Sequence, residues 1–113
     1  MGEMFDSSVR SAGDLAGVFE YEDGSGHFYL YRTDGAANTK IVGAIQMLIE
    51  APDFDQDDVS IRWDNQEGKV GLFIQGCLWA VFDGATGAAY GGSYRPGDTP
   101  RLPVEIARAF EAS

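Results

Sequence analysis

The residues able to do chemistry in this chain are few, and their spacing limits what they can do. Asp53, Asp55 and Asp57 alternate within the run Asp53-Phe54-Asp55-Gln56-Asp57-Asp58. That spacing matches the first, third and fifth positions of a calcium-binding loop. Such a loop needs glycine at its sixth position for a sharp turn and a bidentate glutamate at its twelfth. Asp58 and Asp64 stand there instead, so the run reads as a solvated acidic loop entering a strand.

His27 is the only histidine, and Ser25 shares its turn. Nothing marks Ser25 as the strained nucleophile that a histidine-assisted hydrolase requires. Glu20 and Glu22 alternate along one strand face. They could act as carboxylate acid and base, but a solvated face pairing with Arg32 or Lys69 is the plainer account. One histidine and one cysteine do not supply the several ligands zinc prefers. Cys77 lies in an apolar strand pattern, where a free thiol behaves as a small core residue. Gly24-Ser25-Gly26 lacks the following helix and lysine of a phosphate loop. The sequence therefore predicts no catalytic residue, no metal and no cofactor. Its five tyrosines, Tyr21, Tyr29, Tyr31, Tyr90 and Tyr94, are more suggestive, because an apolar ring with a polar tip suits a wet interface.

The elements that would position these groups are bounded first by size and charge. A length of 113 residues argues for one domain. A chain of this size buries about two-thirds of its unfolded surface, enough for a core without disulfide staples. Eighteen acidic against eight basic residues give a net charge of −10. Such a surface repels phosphate backbones and anionic membranes, so the expected partner is a basic protein or a second copy, with no nucleic acid and no membrane. The first residues carry no apolar leader and no run approaches the length of a membrane span. The expected location is the cytoplasm.

Residues 1–13 are polar and aperiodic and read as a flexible tail, ahead of a single domain over residues 14–113. Residues 18–22 and 27–31 flank Asp23-Gly24-Ser25-Gly26 as a hairpin. A turn at residues 34–37 and a cap at Asn38 or Thr39 introduce a helix, on which Ile41, Val42, Ile45, Leu48 and Ile49 share one stripe. Ala51 before Pro52 ends it. Three strands follow over residues 59–83. Residues 84–97 hold a short edge strand or a loop. Pro103 opens a final helix with Leu102, Ile106, Ala109 and Phe110 on its apolar side. The order β-β-α-β-β-β-α gives an α+β fold with an antiparallel sheet of about five strands and two helices packed on it.

The register of residues 59–83 follows from two turns. A two-residue turn at Gln75-Gly76 sets Ile74 against Cys77, Leu72 against Trp79 and Val70 against Val81. A four-residue loop over 65–68 sets Trp63 against Val70, Ile61 against Leu72 and Val59 against Ile74. Opposed residues project to one side, so these nine make one apolar face. The second face carries Arg62 at the edge of a low Gly71/Ala80 floor, with Phe73, Leu78 and Phe82 around it. If nothing covers it, a patch of this kind is an interaction site. The final helix or residues 84–97 are the elements able to cover it.

The segment Val18-Phe19-Glu20-Tyr21-Glu22-Asp23-Gly24-Ser25-Gly26-His27-Phe28-Tyr29, the expected helix Ile41–Leu48, Ile61-Arg62-Trp63 and Ala80-Val81-Phe82-Asp83 together resemble a bacterial family of uncharacterised proteins, a domain of unknown function. The resemblance spans most of residues 17–83. It implies a bacterial origin and a compact α+β domain, and no activity. Histidines frequent in the family pattern are replaced here by Gln46 and Trp79, so a histidine-dependent function does not carry over.

The function expected from the sequence is thus a non-enzymatic protein-interaction or binding module. Docking would use Arg62, Phe73, Leu78 and Phe82, with Tyr29 and Tyr31 at the rim. The alternative is a small-molecule site between sheet and helix, or a weak hydrolase using Glu20, Glu22 and His27.

Overall fold

The computed structural model describes residues 3–33, 41–48, 52–95 and 97–111. It is built almost wholly of strands: β1 (Met4–Val9), β2 (Leu15–Glu22), β3 (Ser25–Arg32), β4 (Ile41–Leu48), β5 (Val59–Trp63), β6 (Lys69–Ile74), β7 (Cys77–Asp83) and β8 (Ala89–Gly91), with one short helix, α1 (Val104–Arg108). The strands form two antiparallel sheets, ordered β1-β2-β3-β4 and β5-β6-β7-β8. This corrects the expected α+β fold with two helices on one five-stranded sheet. It also corrects the expected tail, because Met4–Val9 pairs along β2 and Met4 is buried in the core. The turn at 34–37 and the cap at Asn38 or Thr39 lie outside the described residues.

The two-residue turn expected at Gln75-Gly76 is present, and the first hairpin, expected around residues 23–26, turns on the two residues Asp23-Gly24, with Ser25 and Gly26 already in β3. Asp23-Gly24 and Gln75-Gly76 have φ of 54° and 82°, and 53° and 81°, the left-handed pair whose twist matches the flanking strands. The segment 41–48, expected as a helix, is β4. Breaks in its pairing with β3, between Gly26 and His27 and between Leu30 and Tyr31, disrupt strict alternation. They leave apolar residues at spacings of three and four that imitate a helical stripe. Gly43, Ile45 and Met47 are the residues β4 turns toward the other sheet, with Ile45 and Met47 buried in the core.

The register of β5 on β6 is the expected one, with Val59, Ile61 and Trp63 opposite Ile74, Leu72 and Val70. Between β6 and β7 it begins as expected, Ile74 on Cys77 and Phe73 on Leu78, and then shifts. Leu72 meets Ala80, Gly71 meets Val81 and Val70 meets Phe82. The extra residue, Trp79, is a β-bulge. A one-residue slip exchanges the faces of everything beyond it, so Phe82 and Ala80 turn into the core and Val81 turns outward. Cys77, expected in the core, is exposed at the hairpin end.

The inner faces of the two sheets enclose the main core, in which Phe19, Phe28, Leu30, Leu72 and Phe82 are fully buried. The rings of Phe28 and Phe82 meet across it at 5.2 Å between centroids. The smallest dimension of the molecule is 21 Å, as expected for two sheets about 10 Å apart with side chains outside them. Both seams between the sheets are stitched. On one side Phe5 N donates to Gln56 Oε1 at 2.8 Å, Gln56 Nε2 donates to Phe5 O at 2.7 Å, and Trp63 Nε1 donates to Ser8 O at 3.0 Å. On the other, Ser93 N donates to Gln46 O at 3.3 Å and Tyr94 N to Met47 O at 2.9 Å.

Candidate functional site

The outer face of the second sheet is closed. α1 and the residues beside it lie across it, and Phe73, Val81 and Phe110 form a second buried cluster with Leu78, Tyr90, Leu102, Ile106 and Ala109 packed around them. Phe110 meets Phe73 edge-on at 5.7 Å. It sits on Gly71, where a Cβ would lie 3.0 Å from its Cζ. Of the low floor expected at Gly71 and Ala80, Ala80 faces the core and Gly71 is the seat of Phe110, with the final helix as the cover. Of the residues expected around that floor, Phe73 is buried, Leu78 is half-buried and Phe82 faces the opposite way into the core. Arg62 remains exposed, its guanidinium carbon 4.2 Å from the centre of the Phe73 ring, where a cation is attracted to the ring face.

The outer face of the first sheet carries no such cover among the described residues. Its register sets out three rows: Phe5-Glu20-His27-Gln46, Ser7-Val18-Tyr29-Ala44 and Val9-Ala16-Tyr31-Ile41. Opposed residues share a side, and the alternate residues Phe19, Phe28, Leu30 and Ile45 are buried inside. Phe5, Val9 and Ile41 are 56%, 54% and 56% exposed, three of the most exposed large apolar residues. The middle of the face holds Val18, Tyr29 and Tyr31, all half-buried by their neighbours. His27 stacks beside Tyr29, ring centroids 5.8 Å apart and planes 17° from parallel. Glu20 and Glu22 are the charged residues of β2 on this side, and neither lysine nor arginine stands in the three rows.

Tyr29 and Tyr31 thus lie at the centre of an open face rather than at the rim of a covered one. Sequence reasoning missed Phe5, Val9 and Ile41. The alternation Phe5-Ser7-Val9 was the available signal for β1, short and set among polar residues. Ile41 was assigned to a helix.

Glu20 and His27 are cross-strand partners on the open face. The acidic loop is structural at its ends. Tyr94 Oη donates to Asp53 Oδ1 at 2.7 Å, and Asp55 N donates to Asp58 Oδ2 at 3.0 Å around the 3₁₀ turn Gln56–Asp58. Tyr94 is buried between Phe54 and Trp79, at 5.0 Å and 4.7 Å. Burial, and then the bond to Asp53, push its hydroxyl up to about 12.

Elsewhere, clefts open among the described residues. One, of about 370 Å³, lies at the end of the sandwich beside Arg10, Asp14, Arg32 and the turn 84–87. Its base is a closed network. Arg10 Nε and Nη2 bind both oxygens of Asp14 at 2.7 and 2.8 Å, and Nη1 donates to Glu67 O at 3.0 Å. The hydrogen bond from Arg10 holds the Asp14 carboxyl down at about 2. Another cleft, of about 420 Å³, lies beside Trp79 under the loop that follows β8 and includes Arg95 and Arg101.

No family model, no curated protein and no solved structure matches the chain. Among the described residues no helix is long and apolar enough to cross a membrane.

Proposed function

We propose that the chain is a non-enzymatic protein-interaction module of a bacterial cytoplasmic protein, docking its partner on the outer face of the first sheet. One observation carries the reading: the two sheets are treated differently. The second has its outer apolar residues buried under Phe110 and its neighbours, while the first leaves Phe5, Val9 and Ile41 more than half exposed around Tyr29 and Tyr31. Contiguous apolar surface of this kind is the mark of an interaction site, and tyrosine is enriched at such surfaces.

Charge decides the kind of partner. The rows offer Glu20 and no cation, Glu22 stands beyond them, and the whole chain carries −10. A second copy would bring like charges together, whereas a partner with an apolar centre and lysine or arginine at its margin would complement the face.

The test is photo-crosslinking in the native host, with a benzophenone amino acid at position 29 or 31 and at position 105 on the α1 cover. The expected result is a discrete adduct from 29 and 31, absent from 105, with a protein bearing a basic surface. An adduct of the chain with itself would replace the basic partner by self-association. Equal or absent adducts at all three positions would overturn the docking reading.

A further inference from the structure

We propose that the cleft beside Trp79 binds a small anionic oxyacid group, a carboxylate or a phosphate, between the guanidinium groups of Arg95 and Arg101. This site is separate from the open face of the first sheet and does not depend on it.

The argument begins with charge. The chain has only eight basic residues against eighteen acidic ones, yet two arginines line one cleft of about 420 Å³. Small-ligand sites are of this size. Arg10 is held by Asp14 and Glu67, and Arg62 lies over Phe73. Among the described residues, neither Arg95 nor Arg101 has a side-chain hydrogen bond or ion pair. One carboxylate, Asp98, lines the cleft with them, and its Oδ1 accepts from Thr99 N at 2.8 Å. Two arginines and one aspartate leave the cleft a net charge of +1 in a chain of −10. Guanidinium groups are planar forks that meet carboxylate or phosphate oxygens in pairs, which fixes the class of ligand.

The cleft is also supported rather than loose. Ser93 and Thr99 add hydroxyl groups to its wall. The loop begins at Tyr94, whose N–H is bonded to Met47 O at 2.9 Å and whose hydroxyl is bonded to Asp53 at 2.7 Å. It is turned back by Asp98 N on Arg95 O at 3.1 Å. On the inner side Gly91 lies tightly against β7, where a Cβ would stand 2.3 Å from Trp79 O.

The experiment is a two-dimensional amide and arginine Nε–H NMR titration of the whole chain with sodium phosphate and, separately, sodium acetate, each against sodium chloride at equal ionic strength. The expected result is saturable shifts at Ser93, Thr99, Arg95 and Arg101 that chloride does not produce. Arg95→Gln or Arg101→Gln should each weaken the response at least tenfold, with unchanged thermal melting, since both side chains are exposed. Saturation by phosphate alone assigns a phosphate, by acetate alone a carboxylate, and by both the shared oxyanion chemistry. Shifts that chloride reproduces, or saturation that survives both substitutions, would overturn the site.

Discussion

The backbone of Gly43 in β4 lies so close to the ring of Phe82 in β7 that a Cβ on Gly43 would stand 2.8 Å from Phe82 Cε1. This contact ties together the two places where strand periodicity is broken. Gly43 lies within the register shifts of β4, and Phe82 faces inward because of the bulge at Trp79. It also gives a prediction whose sign separates two structures. In a helix over 41–48, Gly43→Ala would stabilise the chain by about 1 kcal/mol. In the observed strand the added methyl collides with a fully buried ring, and overpacking of this kind costs about 1–3 kcal/mol. Urea denaturation of Gly43→Ala should show a lower midpoint, and a raised midpoint would contradict the packing of β4 on β7.

These two residues also show what the sequence could reveal. Turn chemistry was legible. Gln75-Gly76 forms the expected turn, the first hairpin falls within the expected residues 23–26, and β5 on β6 has the expected register, because left-handed dipeptides and alternating β-branched residues are local signals. Bulges were not legible, since an extra residue such as Trp79 is accommodated by packing from a distant strand. β1 was hidden for a related reason. Its pairing partner β2 and the side chain of Gln56 satisfy its backbone, and a short polar strand carries little periodicity of its own. Of the candidate site residues, Tyr29 and Tyr31 stand on an unbulged stretch of β2 and β3, from Gly17 on Leu30 to Phe19 on Phe28, or beside it. Phe82 lies beyond a bulge and was assigned to the wrong face.

The cover of the second sheet should depend on one ring. Phe110 touches Phe73 and stands over Gly71, where a Cβ would also lie 2.6 Å from Leu78 Cδ1. Phe110→Ala should cost about 3 kcal/mol, the lower end for a buried aromatic because the cover has solvent on one side. Gly71→Ala should cost about 1–3 kcal/mol on its own by overpacking. In the double variant the new methyl enters space that Phe110 has left, so the combined loss should fall short of the sum by about 1 kcal/mol. Strict additivity in a urea-melt cycle would mean that Phe110 does not occupy the Gly71 floor.

Gln56 supplies from its side chain the pair of hydrogen bonds that a neighbouring strand would give to Phe5. Each such bond is worth about 1 kcal/mol net, less at an exposed seam. Gln56→Ala should therefore lower stability by about 1–2 kcal/mol. Gln56→Glu should be no better, because it keeps the acceptor for Phe5 N but turns a second oxygen toward Phe5 O. Hydrogen exchange is the sharper measurement. The Phe5 amide should lose protection in Gln56→Ala, and less so in Gln56→Glu, while the amide of Phe28 in the core keeps it, and unchanged protection at Phe5 in Gln56→Ala would deny the seam its role.

The opposite seam should be sensitive to alkali through Tyr94. Its hydroxyl is pushed from its ordinary value of 10.0 up to about 12, by burial first and by the bond to Asp53 second. A folded-state value above the unfolded one means that the unfolded chain releases this proton first as pH rises. The stabilisation from the neutral hydroxyl is complete below pH 10 and is lost progressively between pH 10 and 12. Tyr94→Phe keeps the ring between Phe54 and Trp79 and removes the titrating group. At neutral pH it should be less stable than the parent by about 1 kcal/mol, the worth of one hydrogen bond. Across the alkaline window its stability should fall less steeply, so that the two curves converge. Parallel curves from neutrality to pH 12 would show that Tyr94 ionises as freely in the fold as in water, and the Tyr94–Asp53 bond would then hold no part of the loop that carries Arg95.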